Sequence, residues 1–159
     1  MTVSLGDIAP ILTAIVALAG LILSVYNFYV DRKDKSPRLL AKLSNGFLTY
    51  GPELSDVMVL LEVSNPGEKA VKISVVEIIW KKNKLVFIAG IDGTTKLPFD
   101  LQPGDKATFW TPIKEVARTL KKQDGSGKQS IKACFRTAVD HDFVSKAFVI
   151  DVDEWTKSE

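Results

Sequence analysis

The chain has 159 residues, 25% of them charged, with a formal net charge of +2 at pH 7 and a single cysteine. A balance so close to neutral gives no nucleic-acid signal, and one cysteine excludes an internal disulfide while suiting a reducing compartment. No phosphate loop, zinc spacing, dinucleotide fingerprint or nucleophile elbow occurs, so the sequence points away from an enzyme and calls for no cofactor or metal.

Residues 8–30 form a run of 23 positions without a charged side chain. As a helix they span about 34 Å, enough for a hydrocarbon core of about 30 Å. Twelve of them are Ile, Leu, Val or Phe, which favours insertion by about 4 to 7 kcal/mol. Asp7 suits the N-cap and Pro10 the first turn, and Tyr26, Phe28 and Tyr29 stand where an interfacial aromatic belt belongs. Residues 1–7 hold no Lys or Arg, unlike the start of a cleaved signal peptide. Arg32, Lys33, Lys35, Arg38 and Lys42 follow the run, and the positive-inside rule then places the C-terminal side in the cytoplasm. The expectation is a single-pass cell-membrane protein with a short external N-terminus (1–7), a span (8–30), a charged tether (31–37), a folded domain (38–153) and a polar tail (154–159).

Ala9, Thr13, Ala17, Gly20 and Ser24 recur three or four apart along the span. Small residues let helices approach closely in lipid, so this stripe is a candidate surface for association with a second copy or another membrane protein. The span carries no ionisable side chain, which argues against an ion-lined pore built from it alone.

From Arg38 onward the pattern becomes one of short strands with turn signals. Strands are expected at 39–44, 57–64, 71–80, 84–89, 106–111, 130–139 and 143–152, with turns at Asn65-Pro66-Gly67, Asn83, Gln102-Pro103-Gly104-Asp105 and Asp140-His141. Within 130–139, Ile131, Ala133, Phe135, Thr137 and Val139 face one way, and Lys132, Cys134 and Arg136 the other. One helix interrupts the strands: Thr111-Pro112 supplies an N-cap and a first-turn proline, Ile113, Val116, Ala117 and Leu120 recur with helical period, and Asp124-Gly125-Ser126-Gly127 stops it. Seven or eight strands with one short helix predict an all-β, immunoglobulin-like sandwich, with a barrel as the alternative.

Several segments carry the resemblance to a known group: Leu23-Ser24-Val25-Tyr26-Asn27-Phe28-Tyr29 running into Arg32-Lys33-Asp34-Lys35, then Ser44-Asn45-Gly46-Phe47-Leu48-Thr49-Tyr50-Gly51-Pro52-Glu53, then Asn65-Pro66-Gly67 and Leu101-Gln102-Pro103-Gly104. With them the chain resembles small single-span bacterial membrane proteins of unassigned function. The resemblance implies an anchored immunoglobulin-like module in a bacterium or its phage, and carries no catalytic residue across.

The candidate sites are few. His141 lies between Asp140 and Asp142, where a metal or an ordinary polar turn are the readings. Cys134 lies beside Lys132 and Arg136, and nearby cations lower a thiol pKa; a reactive thiol and a plain strand cysteine both stand. Lys114, Arg118, Lys121 and Lys122 line one side of the helix. With Arg32, Lys33, Lys35 and Arg38 they form a candidate surface for anionic headgroups, each basic residue contributing about 1 kcal/mol. The loops 45–56 and 89–99 carry Phe47, Tyr50 and Phe99, the candidates for binding a partner. The leading expectation is a membrane-tethered, non-enzymatic protein-binding module. An oligomeric membrane effector or channel accessory, serving phage or stress defence, is the runner-up, and an extracytoplasmic ligand-binding sandwich requires the reversed topology.

Overall fold

The computed structural model describes residues 5–34, 38–87 and 90–157, which divide into two units, residues 1–36 and 37–159. The first unit is one helix, α1 (Leu5–Asp34). Its Leu12–Val30 segment has a mean hydropathy of 1.8, and none of it is buried against the rest of the chain. This helix is long and apolar enough to cross a membrane. It begins before Asp7, so Asp7 lies inside the first turn rather than at the cap, still at the end where an acid opposes the dipole. Pro10 falls beyond the first turn and leaves the Gly6 carbonyl without its usual donor. The helix also takes in 31–34, the first part of the expected tether; Lys35, like residues 1–4, 36–37 and 158–159, lies outside the described residues.

The second unit is built from two antiparallel sheets. The first has the order β1-β4-β9-β7, from β1 (Leu40–Gly46), β4 (Met58–Ser64), β9 (Lys106–Pro112) and β7 (Asp92–Gly93). In the second, β10 (Lys128–Thr137) and β5 (Val71–Trp80) form the centre. β11 (Asp142–Val144) and β12 (Phe148–Asp151) share the outer edge of β10, and β6 (Asn83–Val86) and β8 (Phe99–Leu101) share that of β5. A separate hairpin joins β2 (Thr49–Tyr50) to β3 (Glu53–Leu54). Twelve strands therefore stand among the described residues where seven or eight were expected. The excess is short: β2, β3, β7, β8 and β11 have two or three residues each. The expected strand 143–152 is split around Ser145, whose hydroxyl accepts from the Ala133 amide.

Alternation explains the core. Val59, Leu61 and Val63 of β4 and Ile131, Ala133 and Phe135 of β10 are shut off from solvent, as period-two patterning requires of inward positions. Phe109 lies between Phe99 and Phe135, with ring centroids 5.9 and 6.3 Å away. Each of the Val, Leu, Ile and Phe side chains among them contributes about 1.5–3 kcal/mol through burial.

The helix α2 (Ile113–Lys122) buries Ile113, Val116, Ala117 and Leu120. Its start differs from the expected cap: Pro112 occupies the N-cap with no side-chain bond, Thr111 is drawn inside β9, and the Ile113 amide donates to the Val57 carbonyl. Its end follows the Gly125 signal, because a Cβ there would come within 2.7 Å of the Leu120 carbonyl oxygen. A short helix, α3 (Val152–Thr156), packs on α2. It begins where a strand was expected and extends into the expected polar tail, capped by Asp151, whose carboxylate accepts from the Asp153 and Glu154 amides. Trp155 packs against the core from this helix.

Asn65 holds the opposite turns together. It is 1% exposed. Its Nδ2 donates to the Lys69 and Leu101 carbonyls at 2.7 and 2.9 Å, and its Oδ1 accepts from the Gly67 amide. Its backbone exchanges bonds with Asp105 and Gly104.

Candidate functional site

Among the described residues, two surfaces of the β domain lie next to the two aromatic-bearing loops.

The first is the edge of β1. All seven residues of β1 pair with β4, and no strand pairs with its other side among the described residues. Every other outer edge belongs to a strand of two to four residues, the short kind that resists pairing with another chain. Beyond Gly46 the chain runs into the β2–β3 hairpin, closed by the Ser55 amide donating to the Leu48 carbonyl and the Leu48 amide donating to Ser55 Oγ. Gly51, at φ 64°, supplies the left-handed turn residue. Phe47 is 59% exposed and Leu54 68% exposed. The aromatic was expected; Leu54 was missed, because a single leucine before a serine carries no periodic signal. The side chain of Tyr50 lies outside the described residues.

The second is a cleft of about 620 Å³ beside the loop residues Gly90 to Leu97. Phe87, Ile91, Leu97, Trp110 and Pro112 form its walls, and Asp92, Lys96 and Glu115 also line it. Its construction starts at Gly93: a Cβ there would fall 2.5 Å from the Phe109 ring, so only glycine lets β7 close onto β9. That closure sets Asp92 directly opposite Trp110. Phe109 points inward, so its neighbour Trp110 points out. Phe99, expected at the surface of this loop, is instead half-buried against Phe109. A hollow of about 140 Å³ along α2 shares Phe87, Thr111 and Glu115 with the cleft.

The remaining candidates are committed elsewhere. Cys134 is fully buried but lies outside the main core, beneath a net of charges on the outer face of its sheet. Arg136 donates to Asp142 (2.8 Å) and Glu77 (3.3 Å), and the Lys84 ammonium lies 3.0 Å from Asp142 and 3.3 Å from Glu77. Burial pushes the thiol up to about 11, and Asp142 and Glu77 outweigh the cations. It is a structural cysteine, not a reactive one. His141 closes the β10–β11 turn through its backbone, which exchanges bonds with Thr137. No group of three or more metal-type side chains forms among the described residues.

The basic side of α2 is partly engaged. Lys114 lies 3.9 Å from Asp56, Lys121 donates to Thr156 Oγ1, and Arg118 also has a partner, as does Arg38. Lys122 is exposed. Along α1, Thr13, Ala17, Gly20 and Ser24 are all exposed, and nothing lies within 4 Å of where a Gly20 Cβ would be. The side chains of Ala9, Arg32 and Lys33 lie outside the described residues.

No known protein family and no curated protein matches this chain.

Proposed function

We propose that the chain is a single-span membrane protein whose β domain is a non-enzymatic binding module, adding an extended segment of a partner protein to the edge of β1. The observation that carries this reading is the unpartnered seven-residue edge of β1 running into exposed Phe47 and Leu54. A free edge offers main-chain hydrogen bonds for affinity, and flanking apolar side chains add selectivity. The apolar segment Leu12–Val30, none of it buried, supports the anchor, and the basic residues after it support a cytoplasmic domain. An anchor of this kind raises the local concentration of a membrane-bound partner.

The strand orders support an immunoglobulin-like assignment. Labelled in sequence order, β1, β4, β9 and β7 correspond to strands A, B, E and D, and β11, β10, β5 and β6 to G, F, C and C′. The engagement of Cys134, His141 and Asp142 in structural roles supports a binding rather than a catalytic protein.

The test is photocrosslinking of the full chain in cells. A benzophenone side chain at Ser44 or Phe47 is expected to capture a protein from the membrane fraction, while the same probe at Val139, which is 70% exposed on a turn, captures none. Equal capture at all three positions, or recovery of the chain in the soluble fraction, overturns the reading.

A further inference from the structure

The cleft beside Trp110 has a chemical character of its own, independent of the β1 edge. Asp92, Lys96 and Glu115, all exposed, line it, and no ion pair or hydrogen bond engages their side chains among the described residues. What sets these charges apart from other unpaired ones on the domain is that they line a cleft beside an indole, whereas Glu62 is engaged by Lys42 and Lys106, and Glu77 and Asp142 by Lys84 and Arg136. Two free carboxylates against one free ammonium leave the cleft an excess of negative charge. Asp92 and Trp110 are register partners in neighbouring strands, so their side chains stand side by side on one face, about 5 Å apart at Cβ.

We propose that this cleft seats an arginine side chain carried by a partner protein. A guanidinium is planar, so it stacks on an indole while its N–H fork reaches a carboxylate at the ring's edge. The Asp92–Trp110 pairing offers both contacts together. Phe87, Ile91 and Leu97 give the aliphatic stem and its neighbours an apolar wall, and Glu115 supplies a second acceptor from α2. Lys96 opposes the cation, so charge at this site acts in two directions. A quaternary ammonium group would use Trp110 but has no N–H to give Asp92, which is why the pairing favours arginine.

The full chain in non-ionic detergent, with ¹⁵N-labelled tryptophan, tests this by the indole N–H signals. The Trp110 signal is assigned by its loss in Trp110→Phe. Titration with acetyl-Leu-Arg-Leu-amide at millimolar concentration is expected to move that signal and leave Trp80 and Trp155 in place. The matched norleucine peptide is expected to move it far less. Asp92→Asn is expected to weaken binding about fivefold, Glu115→Gln to weaken it less, and Lys96→Ala to tighten it about twofold. An unshifted Trp80 signal shows that each variant is folded. Equal response to the norleucine peptide makes the cleft merely apolar and overturns the proposal. So does an equal response to choline that Asp92→Asn leaves unchanged, weaker binding in Lys96→Ala, or no movement of Trp110 at all.

Discussion

Glu77 stands directly opposite Cys134 across the β5–β10 pair, and both are closed off from solvent at 4% and 0% exposure although neither belongs to the main core. The lid over them is ionic, made by Arg136, Lys84 and Asp142. A thiol held up at about 11, above its ordinary 9.0, stays protonated and unreactive. In the folded chain Cys134 is expected to resist a maleimide at pH 8 and to react only on unfolding. Rapid labelling without denaturant would contradict this burial. Topology is therefore better read from Val139→Cys in a Cys134→Ala background.

The same lid sets the alkaline limit. A raised pKa adds stability that is complete below the unfolded value and disappears as pH climbs through the folded one. For Cys134 that window runs from 9.0 to about 11. Lys84, raised first by its hydrogen bond to Asp142, extends it upward. The melting temperature is expected to fall across this range, and less steeply in Cys134→Ala.

Acid works in the opposite sense. The Arg136 hydrogen bond is the main reason Asp142 titrates below its ordinary value, and the Lys106 hydrogen bond is the main reason Glu62 does. Depressed carboxylates contribute fully above their unfolded values of about 4 and lose that contribution as pH drops through the folded ones. Melting curves below pH 5 should show a shallower decline in Asp142→Asn and Glu62→Gln than in the parent chain. Parallel curves would mean that these pairs do not govern acid stability.

Asn65→Ala removes three side-chain bonds and strands the buried Leu101 carbonyl. The expected cost is about 2–4 kcal/mol, seen as a lower midpoint in chemical denaturation. Asn65→Asp should be at least as damaging, since a carboxylate cannot donate to the Lys69 and Leu101 carbonyls.

Gly20→Ile adds bulk where no atom beyond the helix's own nearby backbone lies within 4 Å among the described residues, so an effect on association reports on contacts between helices. Replacing Gly20 and Ala17 together is expected to reduce crosslinked oligomer in membranes if the small-residue face is used. Unchanged crosslinking retires that face as an association surface.

Long elements were legible because their periods repeat. The alternation of Ile131, Ala133, Phe135 and Thr137 and the helical spacing of Ile113, Val116, Ala117 and Leu120 each appear in the structure where they were read, but Val139, read on the same inward face, is exposed on the turn because β10 ends at Thr137. Two-residue strands such as β7 hold no period to read. Alternation also placed Cys134 on the outer face but not its burial, because the cover comes from β5, β6 and β11 as well as its own strand. Phe99 looked like a surface aromatic until Phe109, from another strand, covered it. The cleft was legible only as a loop, since Asp92, Trp110 and Glu115 converge from β7, β9 and α2. Leu54 and the β1 edge were missed because openness is defined by what a strand lacks beside it.

The three tryptophans of the chain all belong to the β domain: Trp80 in its core, Trp110 at the cleft and Trp155 on α3. The apolar helix has none. Tryptophan emission of the intact protein in a lipid vesicle, excited beyond the absorption of Tyr26 and Tyr29, thus arises wholly from the β domain, so its unfolding can be followed optically without severing it from the anchor.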